Sequence, residues 1–225
     1  MASGPGRVIF PALVILSMVV ALGLVFFYAP VEQEQGIVQK IFYIHVPLAW
    51  NAFLAFLLVF FYSFRYLTTR ERRYDMRAFA AADVGVLFTT LVLITGPIWA
   101  KPVWGIWWTW DARLTLTLVL WLIYVAYLML RHYVESPEKR ATLAAVVGII
   151  GFIDVPLVYF AIRWWRTQHP QPVIAGGDGS GMAPEMAVAF WACVIAFTIL
   201  LLFLFRRRVQ LEELAESAAA PGEVA

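Results

Sequence analysis

Charge is scarce in this sequence. Asp, Glu, Lys and Arg supply only 14% of its 225 residues and the net charge is +2, so there is no basic stripe on which a nucleic acid could lie. Cysteine is almost missing. The single Cys193 excludes an internal disulfide and leaves thiol exchange or a cysteine-held metal without support. Inside an apolar run it reads as a small buried hydrophobe. The patterns GxSxG and HExxH and a paired intramembrane aspartate are absent too, so nothing marks a membrane protease or a quinone-linked reductase, and no enzyme is expected. A GxxxxGK[ST] phosphate loop is also missing, so any ATP hydrolysis belongs to another chain.

Apolar residues fill the space that charge leaves. They make up 62% of the chain, and a mean hydropathy of +0.77 is more than a soluble domain of this size could cover. Six runs, near 8–29, 46–66, 78–99, 114–131, 141–162 and 184–205, reach or approach the roughly 20 residues that cross a bilayer as a helix. The first is too long for a signal-peptide core and has no small-residue cleavage site. The expected fold is all-α: one polytopic six-helix membrane domain over 1–208, then an Ala-rich cytoplasmic tail over 209–225 without order. Arg7, Arg65, Arg70, Arg72, Arg73, Arg77, Arg131, Lys139, Arg140 and Arg206 to Arg208 collect on one side. By the positive-inside rule that side, with both termini, is cytoplasmic. Lys40, Lys101, Arg113, Arg163 and Arg166 fall in or beside the outer loops, near 30–45, 100–113 and 163–183.

The most unusual stretch is GPIWAKPVWGIWWTWDARLT, residues 96–115. It holds Trp99, Trp104, Trp107, Trp108 and Trp110, half of the chain's ten tryptophans. An interfacial aromatic belt accounts for Trp50 and Trp191. It does not account for this density on one face, while the inner face has Tyr62, Tyr66, Tyr74 and Tyr133 and no tryptophan. Gly96, Pro97, Pro102 and Gly105 predict a break in the membrane helix, followed by a short helical or irregular segment in the outer interface. Helical spacing over 104–111 would place Trp104, Trp107, Trp108 and Asp111 on one face, an aromatic wall with a carboxylate at its end. Asp111 is equally well placed to cap the fourth helix.

Of the three histidines, His45 (in IFYIHVPLAW) lies at the outer mouth of the second helix and His169 (in RWWRTQHPQP) in the third outer loop. His132, in RHYVES, is on the other face and reads as solvated. Imidazole is the usual nitrogen ligand of haem iron. A porphyrin is a flat apolar plate with two carboxylates, and it needs axial nitrogens, aromatic surfaces and cations. The outer face has all three. Only the fold can bring two histidines from different loops to one ring. Met182 is a further axial candidate, while two histidines without a cysteine or carboxylate motif make a poor zinc set. Asp83 and Asp154 are functional candidates by virtue of lying within membrane spans. Asp83 is shallow and Asp154 can serve backbone groups released by Pro156, so neither is assigned to haem.

WGIWWTWDAR resembles the tryptophan-rich, Asp-ending signature of the haem-handling proteins of cytochrome c maturation. IFYIHVPLAW, TGPIWAKPVWGIWWTWDARLT and DVPLVYFAIRWWRTQH follow the patterns of the haem exporter protein C (CcmC) family, in that family's order, over about 35–208. Ala112-Arg113-Leu114-Thr115 after the aspartate favours this short branch over larger relatives. The resemblance implies haem b as transient cargo at the periplasmic face of a bacterial inner membrane, with His45 and His169 as axial ligands. It implies that Trp104, Trp107, Trp108, Trp110 and Asp111 hold haem and help dock the haem chaperone CcmE, with Arg113, Lys101 and Arg166 as candidates for pairing with propionates. Family members associate with an ATP-binding subunit (CcmA), a membrane subunit (CcmB) and a small membrane protein (CcmD). Two alternatives stand beside this reading. One is a permease subunit, for which nothing polar lines an evident path. The other is a structural subunit whose tryptophans bind protein partners as hot spots.

Overall fold

Six helical spans cross the computed structural model, which describes residues 6–165, 167, 169 and 181–219. Helix α1 (Gly6–Gly23) ends in a π-helical turn, Leu24–Tyr28. A 3₁₀ turn, Ile37–Ile41, leads into α2 (Phe42–Thr69), and α3 (Arg72–Trp104) and α4 (Ala112–Tyr133) follow. The fifth span is two helices, α5 (Pro137–Phe152) and α6 (Asp154–Trp164), and α7 (Pro184–Ala219) is the sixth. All six expected spans are present.

In lipid, apolar burial does not drive helices together, so close packing has to. Small residues provide it. Ala80, Ala81, Ala82 and Gly85 on α3 and Ala144, Ala145, Gly148 and Gly151 on α5 let neighbouring backbones approach. A Cβ on Gly85 would stand 2.5 Å from Cε1 of Phe56, whose ring stacks on Tyr124 with centroids 3.8 Å apart. This core joins α2, α3, α4, α5, α6 and α7. Helix α2 is its axis, packed against α3, α5 and α7, while α1 leans on α7 at the edge.

Four local expectations need correction. Helix α3 does not break at Gly96 or Pro97 but continues through Pro102 to Trp104, where Gly105 ends it at φ +78°. Each proline forfeits one N–H bond, a loss membrane helices tolerate when neighbours supply partners. Helix α2 starts at Phe42, so His45 lies inside the helix rather than in the loop before it. The fifth span does break, at Ile153, two residues after Gly151 and three before Pro156. Asp154 begins the second half with Oδ2 buried and unbonded among the described residues, so it does not repair the break through that atom. Finally, α7 stays helical past Arg208 as far as Ala219, where an unordered tail was expected.

The helix ends divide the charges. At one end Arg131 donates to Asp75 with both terminal nitrogens, at 2.5 and 3.0 Å, and Arg72 reaches the same carboxylate at 2.7 Å. Arg72 also pairs with Glu216 on α7, and Arg208 joins Asp83 at 2.6 Å and Glu212. Asp83 is thus half of an inter-helix ion pair.

Candidate functional site

Because α2 runs from His45 to Arg65 and α3 back from Arg72 to Trp104, the histidine and the tryptophans meet at the end opposite the arginines. There a cleft of about 820 Å³, counting its open mouth, is lined by His45, Trp99, Trp104, Trp107, Trp108, Arg113 and His169 with apolar side chains of α2, α3, α4 and α6. Both histidines singled out by the sequence therefore face one cavity, though they come from different segments.

His45 is buried and held on two sides. Its Nδ1 lies 2.8 Å from the Thr95 hydroxyl, and its ring meets Trp99 edge-on with centroids 5.8 Å apart. The glycine at 96, expected to break the helix, instead makes room: a Cβ there would press to 3.3 Å from Cε1 of His45. Trp99 is only 9% exposed and belongs to the support rather than to an exposed wall. Its indole N–H donates to Gln35 at 2.9 Å, which ties α3 to the first loop. That loop is a tight turn in which the backbone N–H groups of Gln35 and Glu34 donate to the Glu32 carboxylate at 2.6 and 3.0 Å. Those bonds hold the Glu32 carboxyl below its ordinary range. His169 lines the same cleft, and its backbone N–H donates to the Thr167 hydroxyl at 2.8 Å.

The tryptophan segment is not helical between Gly105 and Asp111, so the expected single-face wall does not form by helical spacing. Trp104, at the end of α3, and Trp107 and Trp108, on the irregular connection, still reach the cleft. Trp108 has its indole N–H buried without a partner among the described residues. Trp110 packs edge-on against Trp108 at 5.7 Å, is 76% exposed and does not line the cleft. Asp111 also stays out. It caps α4, accepting from the backbone N–H groups of Arg113 and Leu114 at 3.0 and 3.1 Å, and from the Thr109 hydroxyl at 2.8 Å.

The cations sort in the same way. Arg113 lines the cleft, and its guanidinium has no hydrogen bond or ion pair among the described residues. Lys101 donates to the Gly105 carbonyl at 2.7 Å, a bond that closes the end of α3, and is not in the lining. Lys40 is buried and bound to the carbonyls of Val25 and Ala29 at 2.5 and 3.3 Å. Arg166 lies outside the described residues. Met182 packs with the apolar cluster of α1, α2 and α7 rather than lining the cleft. Thr95 and Gln35 are what the sequence reading missed. Gln35 lies outside the motifs, and Thr95 opens TGPIWAKPVWGIWWTWDARLT without any chemical signal of its own, so only the packing of α2 and the first loop on α3 reveals their contacts.

A cleft with two imidazoles, four indoles and a guanidinium unpaired among the described residues suits a flat, apolar, anionic molecule. Among the described residues no three His, Cys, Asp or Glu side chains converge. Comparison with known proteins points the same way. The family model for CcmC, heme exporter protein C, matches residues 4–221. A heme exporter protein C from Bradyrhizobium diazoefficiens is 37% identical over 172 residues, covering 76% of this chain and 65% of that protein. One from Haemophilus influenzae is 32% identical over 94% of this chain and 85% of its own length. A putative cytochrome c biosynthesis ccmC-like mitochondrial protein of Marchantia polymorpha is 33% identical over 80% of this chain and 76% of its own. With the match spanning the whole helical bundle and the cleft within it, the chain belongs to the haem exporter protein C family.

Proposed function

We propose that this protein binds haem in the cleft at the tryptophan end and hands it to a chaperone, as a step in cytochrome c maturation. The observation that carries the reading is that His45 and His169 line one cavity. Two neutral imidazoles suit the axial positions of haem iron, and haem is cargo here, held between two transfers. Trp104, Trp107 and Trp108 would pack on the macrocycle, and Arg113 would pair with a propionate, an interaction strengthened by the partly apolar surroundings. Lys101 is a weaker propionate partner, since it already binds Gly105.

The exposed Trp110 supports a division of labour. Lying outside the cleft beside Trp108, it would form the docking surface for a CcmE-type chaperone, and the protein-binding alternative would then apply to this residue alone. The role is binding and release rather than catalysis. CcmA, CcmB and CcmD are the proposed partners in the membrane. The arginine-rich end would face the cytoplasm, with both termini, which puts the cleft on the periplasmic face of a bacterial inner membrane.

Absorption spectra of the purified protein test the reading. We expect a low-spin haem spectrum in the wild type that is lost or converted in both His45→Ala and His169→Ala. A wild type that takes up no haem, alone or co-expressed with the chaperone, would overturn it in favour of a structural subunit.

A further inference from the structure

Behind His45 stands a hydroxyl with one proton to give. Thr95 Oγ1 lies 2.8 Å from the Leu91 carbonyl one turn back on α3, and 3.4 Å from that of Val92. Two oxygens at 2.8 Å are in contact only if a hydrogen lies between them, so the Thr95 proton is committed to the backbone. His45 Nδ1 is also 2.8 Å from Oγ1. With the hydroxyl proton already used, the hydrogen on that contact has to come from the imidazole. Nδ1 is therefore the protonated nitrogen, and Nε2 holds the lone pair, because a neutral imidazole carries a single N–H. Nε2 has no hydrogen-bond partner among the described residues.

From this geometry we infer that Thr95 is the positioning residue of the site, a hydroxyl relay that fixes the tautomer of His45 and keeps Nε2 for iron. The inference rests on the proposed haem reading. The hydrogen bond at one ring nitrogen decides which nitrogen is left to ligate, and it makes the ligand more basic. A backbone carbonyl reached through a threonine is a modest acceptor. It orients the ring without giving the imidazolate character that a carboxylate would, which suits a ligand that has to let go. Gly96 and Trp99 complete the arrangement by limiting where the ring can turn.

The test uses full-length protein in detergent with ferric protoporphyrin IX as the probe. Thr95→Val keeps the branched shape and removes the hydroxyl, while Thr95→Ser keeps the hydroxyl. T95V should weaken ferric haem retention by about 10- to 100-fold, the usual cost of losing such a partner, and shift the midpoint potential upward. T95S should restore both. If T95V binds haem as tightly as wild type at the same potential, while H45A loses the low-spin spectrum, the relay is wrong and the ligand assignment stands. If H45A keeps a wild-type spectrum, the ligand assignment itself falls. Nitrogen-15 NMR of histidine-labelled wild-type apoprotein gives an answer that needs no Thr95 variant, with H45A to assign the signals. Protonated Nδ1 and bare Nε2 at His45 are expected, and the opposite tautomer overturns the relay.

Discussion

The two ends of this bundle differ in what their polar groups meet, although neither is uniform: the arginine end leaves Arg140 Nε and Ser63 Oγ without a partner among the described residues, and the tryptophan end pairs Lys40, Lys101 and Asp111. At the arginine end, Arg131, Arg72 and Asp75 form a buried network and Arg208 bridges Asp83 and Glu212. At the tryptophan end, Arg113, Nε2 of His45 and the indole N–H of Trp108 have no protein partner among the described residues. Leaving such groups unpaired costs free energy in the apo protein, and a membrane protein gains nothing from it unless a ligand restores the bonds. The ion pairs at the arginine end tie α3 to α4 and α7. In the proposed reading, the open groups at the tryptophan end are those that a bound haem would meet.

If that contrast is right, damage at the two ends should separate stability from binding. The largest effect is expected for Asp75→Ala, which strands the buried Arg131 guanidinium. The loss should be about 3–5 kcal/mol in unfolding, seen as a lower detergent melting temperature, while the haem spectrum of the protein that remains folded is unchanged. A melting temperature equal to wild type would show that this end is not the stabilising one. Next comes Arg113→Gln, which removes the unpaired cation without straining the fold. Haem retention should fall by about tenfold or more, in line with a charge-assisted bond worth about 1.5–3 kcal/mol, with the melting temperature of the apoprotein held or raised.

Smaller effects sharpen the same comparison within the tryptophan segment. Asp111→Ala should cost about 1 kcal/mol as the α4 cap is lost, and Asp111→Ser should recover most of it, because a hydroxyl can accept from the same N–H groups. Haem titration of Asp111→Ser decides between cap and ligand contact: retention near wild type supports the cap. The smallest effect on haem content is expected for Trp110→Ala. Its spectrum should match wild type while transfer to the chaperone slows. A spectrum lost in Trp110→Ala would place that indole on the macrocycle after all.

How much of this was visible in the chain differs from residue to residue. The six spans were, because each needs only length and composition, and the placement of His45, His169 and Trp104 to Trp110 at one end of the bundle follows from the order of the spans. Asp111 was half legible: its place before an apolar run marked a cap, but a carboxylate beside tryptophans marked a ligand contact equally well. The course of α3 was misjudged at Pro97 and Pro102. Local rules count the lost N–H bond and take no account of the neighbouring helices that let the chain continue. Trp99 looked like its neighbours in sequence, yet its burial comes from α2, α7 and the first loop closing over it.

The sequence by itself determined a six-span helical membrane protein with its histidines and tryptophans at one end. Those properties depend on hydropathy, span order and the spacing of residues along one segment. Only the tertiary structure decided that His45 and His169 share a cavity, that Arg113 rather than Lys101 faces it, and that Thr95 stands behind His45. The physical reason is distance along the chain: His45 meets Thr95 across 50 residues and Trp99 meets Gln35 across 64. Contacts that far apart are set by how whole helices pack, which the local pattern around either residue does not encode.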